Sequence, residues 1–130
     1  MEDSAFSEDF FAFIQSAVPS VAAAELLLLV SRQPERWWTV SGIRGELPRD
    51  VNLNENGIAS GLETLRSRGL VEFDGDRRAR YHPASEALES NVRILAQAYN
   101  ERPVTLIRII YALRDSKIQS FANAFKLRKS

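Results

Sequence analysis

Residues 62–83 read LETLRSRGLVEFDGDRRARYHP, and within that stretch a helix ends and a hairpin begins. Leu62 and Leu65 extend a stripe that starts at Ile58, the i, i+4, i+7 spacing of an amphipathic helix with one narrow apolar face. Gly69 suits the left-handed position that closes a helix, and Leu70 leads straight into strand-forming residues. Two short runs flank an Asp74-Gly75-Asp76 turn, and Val71, Phe73 and Tyr81 supply the packed side of the ribbon. By the same alternation Arg78 and Arg80 share one face and Arg77 takes the other. A two-strand ribbon is marginal alone, so it must rest on helices while its tip projects. Three arginines on that tip admit two readings: a charged edge that resists strand pairing, or a contact for phosphates or a minor groove.

Upstream, Asn54 is a good N-cap for the helix ENGIASGLETLRSR. Its outward positions are expected to be Asn54, Glu55, Asn56, Ser60, Gly61 and Thr64. Asparagine can pair bidentately with adenine, and Ser or Thr can meet bases or phosphates. The helix is electrically balanced, with Glu55 and Glu63 against Arg66 and Arg68. Before it, Thr39 can cap a short helix with Val40, Ile43 and Leu47 as its apolar residues, stopped by Pro48. Further back, Ser20 opens VAAAELLLLVSR, a strongly apolar helix, and Ser7 opens EDFFAFIQSA with Phe10, Phe13, Ile14 and Ala17 on one side.

Downstream, EALESNVRILAQAYNE places Leu88, Val92, Leu95, Ala96 and Tyr99 on one face. Pro103 then restarts the chain as VTLIRIIYALR. That run is rich in β-branched residues, but its length and a proline in the first turn favour a helix. A last amphipathic helix is expected from Asp115-Ser116, with Ile118, Phe121, Ala122 and Phe125 as its stripe.

From WWTVSGIRGEL through NENGIASGLETLRSRGLVEFDGDRRARYHP the chain resembles the winged helix-turn-helix domain of bacterial transcription regulators, most specifically at LETLRSRGLVE. The resemblance covers about residues 20–83, and with the helical patterns on either side of it the expectation is a mainly α fold with a small β-hairpin and a single domain over residues 1–130. Residues 20–83 form the winged core, residues 5–19 an N-terminal helix, and residues 84–130 a C-terminal helical segment. It makes residues 54–68 the recognition helix and residues 70–82 the wing, with Trp37-Trp38 as a short edge strand against it. It implies binding of double-stranded DNA through Asn54, Asn56, Ser60 and Thr64 in the major groove. Arg66, Arg68, Arg77, Arg78 and Arg80 would serve the backbone or the adjacent minor groove. It also implies a homodimer joined through the flanking helices. The same scaffold can instead serve as a protein-interaction module that never meets nucleic acid.

Composition narrows the rest. The 130 residues carry 17 basic and 17 acidic side chains, no cysteine and one histidine. Thiolate metal sites are excluded, His82 has too few companions for a zinc site, and no cofactor is expected. Charge is unevenly spread: residues 1–35 have six acids and one base, residues 36–83 eight bases and seven acids, residues 84–130 eight bases and four acids. Neither GIRG nor GIASG has the spacing of a phosphate loop, and no catalytic constellation is visible, so an enzyme is not expected. No stretch approaches the roughly twenty apolar residues of a membrane span, and the acidic N-terminus has the wrong sign for a targeting peptide. The expectation is a cytoplasmic protein without a membrane partner.

Overall fold

The computed structural model describes residues 6–113. In chain order these form α1 (Glu8–Ala17), α2 (Val21–Arg32), α3 (Val40–Glu46), α4 (Glu55–Ser67), β1 (Val71–Phe73), β2 (Ala79–Tyr81), α5 (Glu86–Glu101) and α6 (Pro103–Leu113). The protein is mainly helical with one two-stranded antiparallel sheet. Helix starts follow local chemistry. Ser7, Ser20, Thr39, Asn54 and Ser85 each accept a hydrogen bond from the backbone N–H three residues on, at 2.8–3.1 Å, satisfying donors that a helix end leaves bare.

The apolar helix α2 buries Leu26, Leu27 and Val30 almost completely. Against it lies the predicted stripe of α4 (Ile58, Leu62, Leu65), while that of α1 (Phe10, Phe13, Ile14, Ala17) packs chiefly toward α5; all of these residues are buried. Gly61 was expected on the outer face of α4. It instead faces α2: a Cβ there would stand 2.6 Å from Leu26 Cδ2. The two helices approach so closely that only glycine fits without a shift.

Gly69 closes α4 at φ 78°, and the hairpin follows at once. Val71 pairs with Tyr81, Glu72 with Arg80 and Phe73 with Ala79. The packed face is the one expected, with Ala79 added to it; Val71, Ala79 and Tyr81 are buried and Phe73 half-buried. Trp38 adds a third edge through paired bonds with Ala79, N–H to carbonyl at 2.7 and 2.8 Å. Its ring is buried and Trp37 is half-exposed, the division of roles that two adjacent residues on a strand must adopt.

In α5 the buried face is Val92, Leu95 and Ala98. Leu88 and Tyr99 flank it half-buried, and Ala96, expected inside, is exposed. The helix is therefore turned slightly about its axis relative to the stripe its larger residues suggest. The β-branched run after Pro103 is helical, as expected, and buries Leu106, Ile109 and Ile110. No single described helix is long and apolar enough to cross a membrane. The helix expected from Asp115-Ser116 lies outside the described residues.

Candidate nucleic-acid interface

Helix α4 is held by its buried stripe and leaves Glu55, Asn56, Ala59, Ser60 and Glu63 exposed. Asn56 and Ser60 lie one turn apart on this side and point away from the core. Asn54 is also exposed, but its Oδ1 accepts the Gly57 N–H at 2.8 Å, leaving only its amide donors for other partners. Thr64 is half-buried and its hydroxyl donates to the Ser60 carbonyl at 3.2 Å, a back-bond that spends the group on its own helix.

The arginines divide into two sets. Arg66 pairs with Glu63 at 2.7 Å and lies 5.4 Å from the centre of the Phe73 ring. Arg78 is bound by Asp74 through Nε at 2.8 Å, with Asp76 at 3.8 Å. Arg80 is bonded to Glu72, its Nε at 3.0 Å, and stacks 4.5 Å over the Trp37 ring. Arg36 and Arg44 pair with Glu46 and Glu55 at 2.9 and 3.6 Å. Of the eight arginines in residues 36–83, only Arg49, Arg68 and Arg77 have no carboxylate in pairing range among the described residues.

The hairpin loop explains why Arg78 is committed. Asp74 Oδ1 accepts the N–H groups of Asp76 (2.9 Å) and Arg78 (2.8 Å), while Oδ2 takes the Arg78 guanidinium. Desolvation opposes the charge, but those N–H donors and the guanidinium outweigh it and hold the Asp74 carboxyl below its ordinary 3.8. The loop's left-handed residue is Arg77 (φ 63°) and not Gly75. This is the three-residue loop in which a type I turn is followed by one residue at positive φ, and it turns Arg77 out of the strand alternation that had set it opposite Arg78 and Arg80.

Arg77 therefore stands at the rim of a groove between hairpin and helices that also touches Ala59 and Glu63 of α4. A second recess, of about 650 Å³, opens over the α3–α4 turn and is bordered by Arg44, Arg49, Asn52 and Asn54. Sequence reasoning passed over Arg44, Arg49 and Asn52. The signal was there, since Arg49 precedes the N-cap of α4 by one short loop and a helix N-terminus favours anions. Glu72 is shared between Arg80 and His82, whose Nδ1 lies at 3.7 Å, just past the end of β2.

No protein-family model matches this chain. Comparison with curated proteins and with solved structures found no match either.

Proposed function

We propose that the chain is a duplex-DNA-binding transcription regulator of the winged helix-turn-helix type. In this reading α3 and α4 form the turn motif, α4 lies in the major groove and the β1–β2 hairpin is the wing. The observation that carries it is convergence: Arg77 of the hairpin loop, which has no carboxylate partner among the described residues, and the exposed side of α4 border one groove. A duplex seated on α4 would meet that guanidinium without rearrangement. Asn56 and Ser60, exposed and unspent, are the base-reading residues, with the Asn54 amide beside them. Arg49, Arg68 and Arg77 are the phosphate contacts, and Arg66, Arg78 and Arg80 are held in reserve by carboxylates.

A homodimer completes the proposal. Val104 is 62% exposed and Tyr111 49%, and their separation of seven puts them on one side of α6. Two copies joined there would present two α4 helices to a two-fold site. Light scattering should give twice the chain mass, and Val104→Glu should return it to one.

The reading is tested by fluorescence anisotropy with random-sequence duplex from about 50 to 200 mM salt, the range in which phosphate contacts are lost. Three phosphate contacts give a slope of log affinity on log salt near −2.7, at about −0.9 per phosphate. Arg77→Ala should weaken binding to every sequence and lower that slope by about one. Absence of binding at the lowest salt would overturn the reading. It would favour a protein-interaction module instead, for which the five internally paired arginines are the supporting observation.

A further inference from the structure

The groove between hairpin and helices has a volume of about 390 Å³ and is lined by Val40, Ala59, Leu62, Glu63, Phe73 and Arg77. Four of these six are apolar, and the two charged residues are not equivalent. Glu63 is neutralised by Arg66 at 2.7 Å, whereas Arg77 has no carboxylate partner among the described residues. The left-handed backbone at Arg77 is one that glycine adopts with less strain. A guanidinium is thus held at the rim of an apolar groove against local preference, and such outliers point towards function.

Apolar walls with one convergent charged group are the usual make-up of a small-molecule site. The walls take up the body of a ligand and the charged group fixes its orientation. With the carboxylate already answered and the cation not, the groove selects an anion. We propose that it binds a small amphipathic carboxylate, its apolar body against Val40, Ala59 and Phe73 and its carboxylate on the Arg77 guanidinium, a pairing of matched planar geometry. This goes beyond the DNA reading and does not require it. Where both hold, the acid and a DNA phosphate compete for Arg77, and the acid releases DNA.

The test uses the full chain labelled with ¹⁵N and titrated with sodium benzoate at constant ionic strength, with benzamide as the neutral isostere, each to about 20 mM, a range suited to a millimolar site. Benzoate should move the amide signals of Val40, Ala59, Leu62 and Phe73 saturably, with affinity about ten-fold tighter than benzamide, as loss of a charge-assisted hydrogen bond dictates. Arg77→Gln should erase that difference while leaving the benzamide response, and the same spectra report that the variant is folded. The proposal is overturned by any of three results: no saturable shift, an equal response to benzamide, or a preference for benzoate that survives Arg77→Gln. Shifts scattered over Arg49 and Arg68 in place of the groove would mean nonspecific anion association and would overturn it too. None of these outcomes depends on whether the chain binds DNA.

Discussion

The hairpin and α6 solve opposite problems. The hairpin carries a surplus of charge and answers most of it internally, Arg78 with Asp74 and Arg80 with Glu72, leaving Arg77. Helix α6 carries a surplus of apolar surface. It buries Leu106, Ile109 and Ile110 but leaves Val104 and Tyr111 exposed. The difference matters because exposed ion pairs are worth little and exchange readily for other partners, while apolar surface in water favours cover by another surface. One region is thus suited to swapping contacts and the other to acquiring one.

The sharpest way to break this contrast is to truncate the two sides of α6 separately. Leu106→Ala, at a site 1% exposed, should cost about 2–5 kcal/mol in urea unfolding through lost burial and the cavity left behind. Val104→Ala should stay within about 0.5 kcal/mol at protein concentrations where the chain is monomeric. Equal losses would mean that the outer side of α6 is packed after all, and the division of its two faces would be wrong.

What sequence could reveal followed from period and caps. The stripes of α1 and α4, four helix starts at Ser7, Ser20, Thr39 and Asn54, the Gly69 stop and the packed face of the hairpin are all local patterns, and each is set by residues within a turn or two of one another. Gly61 was misread because its role depends on Leu26, more than thirty positions away, and no local signal marks a close helix crossing. Ala96 was misplaced because a small residue gives the helical stripe no weight in fixing its direction. The candidate interface was legible only in part as a set of residues, since Arg44, Arg49 and Asn52 were passed over, and not at all as a set of states. Whether an arginine is paired depends on loop geometry, and the αL conformation at Arg77 moved it to the groove that strand alternation could not foresee.

Helices α2 and α5 are fastened to each other by a partly buried polar contact. Tyr99 of α5 donates its hydroxyl to Glu25 Oε2 of α2. Burial, then the Glu25 hydrogen bond and charge, push the Tyr99 phenol from 10.0 up to about 12. Tyr81, raised to about 12 chiefly by burial, behaves alike. The folded chain therefore keeps these protons to higher pH than the unfolded chain. Their contribution to stability is complete below pH 10 and is lost as pH rises through about 12. Tyr99→Phe should cost about 1 kcal/mol near neutrality and flatten the alkaline limb of an unfolding profile. An unaltered limb would assign that limb to other groups.

In the hairpin, Arg77→Gly separates what Arg77 does for folding from what it does for binding. Relief of the left-handed conformation, partly offset by the greater freedom of glycine when unfolded, should leave the protein about 0.5 kcal/mol more stable. In the DNA-binding reading the same change should lower the salt slope by about one. A gain in stability accompanied by weaker binding is the signature of a residue kept for contact and not for folding. A loss of stability would show that the Arg77 side chain packs, and the strain argument would fall.

The smallest effect on stability, and the most specific on mechanism, is at Asp74. The folded chain resists protonating this carboxyl, so the order it gives the loop is complete above pH 3.8 and is lost as pH falls through the lowered folded value. The amide signals of Asp76 and Arg78 should move together below pH 3.8, with those of α6 unchanged. Asp74→Asn keeps an oxygen for the two N–H groups but removes the charge that binds the Arg78 guanidinium. Arg78 should then join Arg77 as an available cation, and the slope of DNA affinity on salt should steepen by about one phosphate contact. If the slope does not change, Arg78 already leaves Asp74 for a phosphate in the wild-type complex, and the hairpin's internal pairs are a resting state that binding dissolves.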